Sequence, residues 1–433
     1  MFRKRDQVFF AQGSLGLNVE WIVIATWLVF FYAAPMGGRA ALPMALIGGL
    51  LFAGRVIDAF TDVLVGFWSD NATYRRGRRV PFILAGAPLL ALTFFLIWNP
   101  PPLGILGIAI YFFLIVNLHF FLITVVAVPH SSLVPELATT SNERISVSIW
   151  MAIFGTIGVV IATTTAGPLI EKAGYPLMGI VFGLIVLGAF YIALLGIKEK
   201  PRQVSPVTRL NLKDALRVTL SNKQFLFSMI PLICLHFGFG LLMMSLPFFV
   251  TAVLGLTEGD VMLYQGVPAI AMFPALFLWR WMGNRYGKKR AFLLCLILIA
   301  VGAPFYFVVG ILPMAATLSL IYLLLIIIPM AGLFAFHNAI VSDVTDYDEL
   351  KTGERREGMY FSVYFFMMKV GGGLGALVFG FLGHLGVAPG DFLGIQMVGP
   401  IFGLVVFLGF LIFRKYRLPD TIRGKTLEEL GLK

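Results

Sequence analysis

Apolar stretches long enough to cross the ~30 Å hydrocarbon core of a bilayer recur twelve times along this 433-residue chain. They lie near residues 8–33, 42–68, 82–98, 103–128, 145–167, 177–197, 224–254, 261–281, 291–310, 314–341, 358–383 and 392–413. Inside hydrocarbon every backbone N–H and C=O must be satisfied within the protein, so such stretches fold as α-helices. Apolar residues make up 59% of the sequence and charged residues 13%, too few charges to coat a soluble protein of this length. The class is therefore an all-α, multi-pass membrane protein.

The basic residues test this count. With the N-terminus, the loops after even-numbered stretches and the C-terminus on one side, that side holds 29 of the 33 Lys and Arg residues. The opposite side keeps Arg39 and Lys172, while Arg55 and Lys369 lie within stretches. Basic residues accumulate on the cytoplasmic face, so the pattern predicts twelve transmembrane helices with both termini cytoplasmic. The net charge of +11 is then a record of topology, and nucleic-acid binding is excluded. No nucleophile–base constellation or metal-ligand spacing points to an enzyme, and no cofactor is implied.

A polar, Pro-containing linker over 198–223 separates an N-terminal bundle, 1–197, from a C-terminal bundle, 224–416, with a cytoplasmic tail over 417–433. Within the linker, Asn211–Leu220 reads as a short interfacial helix capped by Asn211. The halves share one offset: Arg79 plus 211 is Arg290, and the same shift carries Glu143-Arg144 onto Glu354-Arg355. A six-plus-six duplication with basic loops after the second helix of each half implies two pseudo-symmetric bundles in the major facilitator architecture. Any substrate site then lies between the halves near the midplane.

Five charged residues sit well inside stretches, Glu20, Arg55, Asp58, Asp62 and Lys369, while Arg280 lies at the very end of its stretch and is counted with the loop that follows. A charge at the bilayer centre costs ~3 kcal/mol or more, so each should face the protein interior or a water-filled cavity. At 100° per residue, Arg55, Asp58 and Asp62 form one polar seam on an otherwise apolar helix. Two carboxylates one turn apart, with hydroxyls from Thr61 or Thr124, can share a hard cation such as Na⁺. Without a metal, the same pair can hold a proton. The alternative is that Arg55 and Lys369 neutralise the aspartates in fixed ion pairs. Glu20 either lines the substrate cavity or is paired structurally. His119, His236, His337 and His384 follow no spacing and read as packing or interfacial residues.

Three blocks together resemble the glycoside–pentoside–hexuronide:cation symporter family, the melibiose-carrier group. They are Arg55-x-x-Asp58-Ala-x-x-Asp62 with Gly66, Asp70 and Gly77-Arg-Arg; Pro129-His-Ser-Ser-Leu-Val-Pro-Glu136 with Asn142-Glu-Arg144; and Asp343 through Glu357 with Tyr360 and Lys369. The resemblance implies cation-coupled secondary transport of a small solute. It places the coupling cation at Asp58 and Asp62, assisted by a hydroxyl at Thr124, with Lys369 as the matching lysine of the second half. The chain is expected to lie in the plasma membrane, with the lipid bilayer as its surroundings, and to act as a monomer.

Sugar carriers resembling the melibiose carrier hold galactoside with aspartates at positions matching Asn18 and Ala127, and an arginine commonly matches Met151. The galactoside half of the pattern is therefore largely missing. The substrate is expected to be a sugar or glycoside, or else a lysolipid or other amphiphile, since vertebrate lysophospholipid importers resemble this family too. A non-transporting assembly or sensor protein is a third reading, opposed by the retained charges. Asn18, Glu20, Trp21, Ala127, Trp150 and Met151 are candidate substrate contacts, the aromatics because their faces stack on sugar rings and pack on acyl chains. Asp70, Arg78, Arg79, Glu143, Arg144, Asp343 and Arg355 are candidate cytoplasmic gate residues, forming ion pairs that break as the protein changes state.

Overall fold

The computed structural model describes residues 2–33, 42–72, 77–138, 140–197, 221–352 and 357–419. Among these, eleven helices are long and apolar enough to cross a membrane. In chain order they are α1 (Lys4–Ala33), α2 (Met44–Asn71), α3 (Val80–Ile97), α4 (Ile105–Leu137) and α5 (Ser141–Leu195), followed by α6 (Lys223–Phe248), α7 (Val261–Tyr286), α8 (Lys288–Gly302), α9 (Ala315–Thr352), α10 (Glu357–Leu382) and α11 (Val398–Phe413). A π-helical turn, Phe249–Val253, extends α6, short turns at Ala303–Phe305 and Tyr306–Val309 extend α8 to a span of Lys288–Val309, and a turn at Leu393–Gln396 leads into α11 to make a span of Leu393–Phe413. The Asn211–Leu220 expectation falls outside the described residues.

The count of eleven differs from twelve because α5 covers two of the predicted stretches. Its 55 residues are helical on both sides of Gly174, whose φ of 77° and ψ of 170° break the run. A positive φ suits glycine, which lacks a Cβ, and Pro176 just beyond it restarts the helix. Helix α4 runs unbroken through Pro129 and Pro135 to Leu137. Each proline removes one N–H from the ladder, a loss that membrane helices tolerate when neighbours satisfy the freed groups.

The chain divides into two compact units. The first is Met1–Pro206 with Leu246–Thr251 and Gly255–Gly266; the second is Val207–Ser245, Ala252–Leu254 and Val267–Lys433. In the first, α1 is the central helix, apolar around most of its circumference and buried along most of its length. It packs closely on α5, where Gly158 lies so near the Leu15 backbone that a Cβ would come 2.5 Å from its carbonyl oxygen. Tyr32 donates to the Ile97 carbonyl at 2.7 Å. Around it, Phe31, Trp98 and Tyr175 pack ring against ring at 4.6–5.8 Å between centroids. Tyr175 also donates to Glu258 at 3.4 Å, and Thr257 to Glu171 at 3.3 Å.

In the second unit, α8 is packed between α9 and α11, with Phe292 against Phe413 at 4.8 Å. The Trp279 indole donates to the Ile328 carbonyl at 2.6 Å. Large apolar side chains point outward in both units: Leu106 is 75% exposed and Phe277 70%. Such exposure is unfavourable in water and fits lipid contact.

Candidate functional site: a carboxylate seam on α2

The seam forms as the helical spacing requires. Asp58 is buried and Asp62 half-buried, one turn apart on α2. The Thr124 hydroxyl of α4 reaches both, 2.8 Å from Asp62 Oδ1 and 3.3 Å from Asp58 Oδ1. Two carboxylates and one hydroxyl oxygen thus converge from two helices. A hydroxyl carries one proton and can donate to one carboxylate at a time. Its oxygen and the two carboxylates are the hard ligands Na⁺ prefers. The Thr61 hydroxyl is spent on the Asp58 backbone carbonyl at 2.9 Å.

Arg55, one turn earlier, lies 3.4 Å from Asp58, longer than a strong charge-assisted bond. Its guanidinium stacks over the Phe120 ring at 3.9 Å from the centroid, a contact that holds a cation without using up a carboxylate. Lys369 is half-buried on α10 in the second unit.

The candidate substrate contacts are distributed over α1, α4 and α5. Asn18 donates to the Ser14 carbonyl of its own helix at 2.9 Å. The same amide faces Gly155, where a Cβ would lie 3.0 Å from Asn18 Nδ2. Ala127, Trp150 and Met151 are half-buried, and Trp21 is 42% exposed. Glu20 is different: it is sealed in the interior, with its carboxylate 2.8 Å from His119 Nε2. The expectation that His119 is a packing or interfacial residue is thereby corrected. Its ring bonds Glu20 on one side and Thr93 Oγ1 on the other, at 3.0 Å.

At the α2–α3 turn, Arg78 and Arg79 both grip Glu136 of α4, Arg79 at 2.7 Å, and Arg79 also donates to the Ser132 carbonyl. Lys288 holds Asp343 of α9 at 2.7 Å. Each unit therefore ties the basic loop after its second helix to the acidic end of its fourth. Glu143 closes a capping box with Thr140 and accepts from the Phe2 backbone N–H at 2.8 Å. Arg144 donates to the Ala138 carbonyl at 3.0 Å. The Asp70 side chain and Arg355 lie outside the described residues. Sequence reasoning left out Glu136 as a site residue, although an acid at the end of α4 is the natural complement of two arginines at the start of α3. His119 and Thr93 gave no local signal, since their partners come from distant parts of the chain.

Comparison with known proteins follows the same line. A family model described as MFS/sugar transport protein matches residues 9–386. The chain is 26% identical over 445 residues to the putative glycoside/cation symporter YagG of Escherichia coli strain K12, spanning 96% of this chain and 92% of that protein. It is 23% identical over 486 residues to sodium-dependent lysophosphatidylcholine symporter 1 of Xenopus tropicalis, spanning 99% and 90%. Among solved structures, a bacterial homologue of the human lysosomal transporter Spinster, inward-facing and unoccupied, superposes with a TM-score of 0.71 at 13% identity, covering 96% of this chain and 98% of that one. At that identity the likeness speaks to the fold alone.

Proposed function

Because this chain belongs to the MFS/sugar transport protein family, we propose that it is a cation-coupled symporter of a small organic solute, a sugar or glycoside, working by alternating access. It is an integral membrane transporter and not an enzyme. The observation that carries the coupling is the Thr124 hydroxyl meeting both Asp58 and Asp62 inside a membrane-spanning helix pair. In this reading Asp58, Asp62 and Thr124 bind Na⁺ or H⁺, and no other cofactor is needed. Thr61 stands at the edge of the site.

Arg55 and Lys369 balance the seam when it is empty, and Lys369 yields to the cation when it arrives. The pairs Arg78 and Arg79 with Glu136, and Lys288 with Asp343, act as cytoplasmic gate elements. Ser141–Leu195 counts as two crossings around Gly174, giving twelve in two bundles with both termini in the cytoplasm of a plasma-membrane monomer.

A second reading keeps the mechanism and makes the cargo a lysolipid or similar amphiphile. It is favoured by the polar groups missing at Ala127 and Met151 and by the Asn18 amide, which is bonded to its own helix. Uptake into proteoliposomes from a panel of sugars and lysolipids, with Na⁺ and pH gradients imposed separately, tests both. Uptake indifferent to both gradients, and unchanged in Asp58→Asn and Asp62→Asn, refutes symport at this seam.

A further inference from the structure

Glu20 on α1, His119 on α4 and Thr93 on α3 form a closed hydrogen-bonded chain in the first unit, each 3% exposed or less. His119 Nε2 lies 2.8 Å from Glu20 Oε1, and Nδ1 lies 3.0 Å from Thr93 Oγ1. Thr93 Oγ1 also lies 3.0 Å from the Leu90 carbonyl, which can only accept. Counting hydrogens leaves two arrangements. In one, Thr93 donates to Leu90, Nδ1–H donates to Thr93, and the gap between Nε2 and Glu20 must hold a further proton. That proton sits on the nitrogen or on the carboxyl, and either way the pair is neutral overall. In the other, the Thr93 hydroxyl turns onto Nδ1, Nε2–H donates to the carboxylate, and the pair carries one negative charge.

The two arrangements differ by one proton and one hydroxyl rotation, with no heavy atom displaced. We propose that Glu20, His119 and Thr93 constitute a proton-binding relay separate from the cation seam, taking up one proton from water and returning it when the site opens. A lone charge enclosed by apolar groups is costly to bury, and it is by one such charge that the two arrangements differ.

The surroundings offer little to compensate that charge. Helix α3 contains no charged side chain. On α2 the charged groups are Arg55, Asp58, Asp62 and Asp70, and Arg55 is engaged with Asp58 and the face of Phe120, the residue after His119. Helix α5 is charged only at Glu143, Arg144, Glu171 and Lys172. On α1 the other charges are Lys4, Arg5 and Asp6 at its start, and α4 adds only Glu136, itself held by the two arginines. The rings of Phe94 and Phe120 lie tilted beside His119, at 5.8 and 6.4 Å between centroids.

The relay's place in a transport cycle rests on the symport reading, but the site itself is testable without transport. Infrared difference spectra between acid and alkaline pH, taken on the full-length protein in lipid, should contain carboxyl and imidazole bands. One carboxyl band and one imidazole band, belonging to the relay, should be lost in Glu20→Gln and in His119→Asn and persist in the Asp58→Asn, Asp62→Asn double variant. Spectra that lose neither band in Glu20→Gln in folded protein, or that lose both in the double variant, overturn the proposal. If the relay variants do not fold, wild-type protein with ¹⁵N-labelled histidine and ¹³C-labelled glutamate carboxyl decides the matter. The His119 ring is then identified by its short dipolar distance to Glu20. It should gain one proton on acidification, and an unchanged protonation state across the pH range of the folded protein refutes the relay.

Discussion

Thr124→Val removes one hydroxyl and keeps the side chain's branched shape, so it isolates the oxygen that joins the two carboxylates. That hydroxyl is buried, 2.8 Å from Asp62 and 3.3 Å from Asp58. A hydrogen bond or ligand contact to a charged group contributes about 1.5–3 kcal/mol. At about 1.4 kcal/mol per factor of ten, the coupling cation should bind roughly 10- to 150-fold more weakly. Thr124→Ser retains the oxygen and should stay within about threefold of wild type, well inside the span that one such contact covers. The assay is a titration of purified protein in lipid with Na⁺ and, separately, with acid, following intrinsic tryptophan fluorescence or bound heat. Equal affinities in Thr124→Val and wild type would show that the hydroxyl does not belong to the cation site. Equal loss in Thr124→Ser and Thr124→Val would show that packing, and not the oxygen, had been perturbed.

Other consequences can be read in the same preparations. Gly158→Ala puts a methyl 2.5 Å from the Leu15 carbonyl oxygen, where backbone must give way. Overpacking of this kind costs about 1–3 kcal/mol, visible as a lower melting temperature; an unchanged melt would refute the close α1–α5 contact. Arg79→Ala removes bonds to Glu136 and to the Ser132 carbonyl and should destabilise by about 1–3 kcal/mol. Lys288→Ala, at a cation 25% exposed against 8% for Arg79, should cost less, and the reverse order would contradict that difference. Burial pushes the Glu258 carboxyl above its ordinary value of 4.5, with Glu171 adding to the rise and the Tyr175 hydroxyl opposing it. Its folded-state value is thus raised, so its stabilising contribution is complete below the ordinary value and lost as pH climbs through the raised one. Melting temperature should fall with pH in that window in wild type and less so in Glu258→Gln, and identical profiles would show that Glu258 is not held among Glu171 and Tyr175.

Much of this was legible in the chain itself, for physical reasons. Helix positions follow from run length, because a bilayer demands about twenty apolar residues and tolerates few exceptions. The seam at Arg55, Asp58 and Asp62 was legible because charges inside an apolar run are costly and their helical spacing is fixed. Thr124 entered beside Thr61 as a candidate hydroxyl and was singled out by the family resemblance, and the geometry supports its candidacy. What escaped were contacts made between distant parts of the chain. Glu20 and His119 are 99 residues apart, and neither carries a local pattern naming the other. The joint in α5 escaped for the opposite reason. Lys172, Gly174 and Pro176 look like a loop, yet Gly174 alone absorbs the whole change of direction.

That joint also governs how force can travel. A connection reduced to one non-helical residue has almost no slack, so the two arms of Ser141–Leu195 cannot drift independently as crossings joined by a long loop can. Whatever swing the packing of α1 imposes on the first arm through Gly158 must reach the second as a rotation about Gly174, in the manner of an elbow. Inserting two or three glycines after Gly174 should uncouple the arms, broadening distance distributions between spin labels placed at Ile149 and Ile192 while leaving each arm helical. Distributions as narrow as in the uninterrupted protein would mean that side-to-side packing, and not the joint, keeps the arms in step.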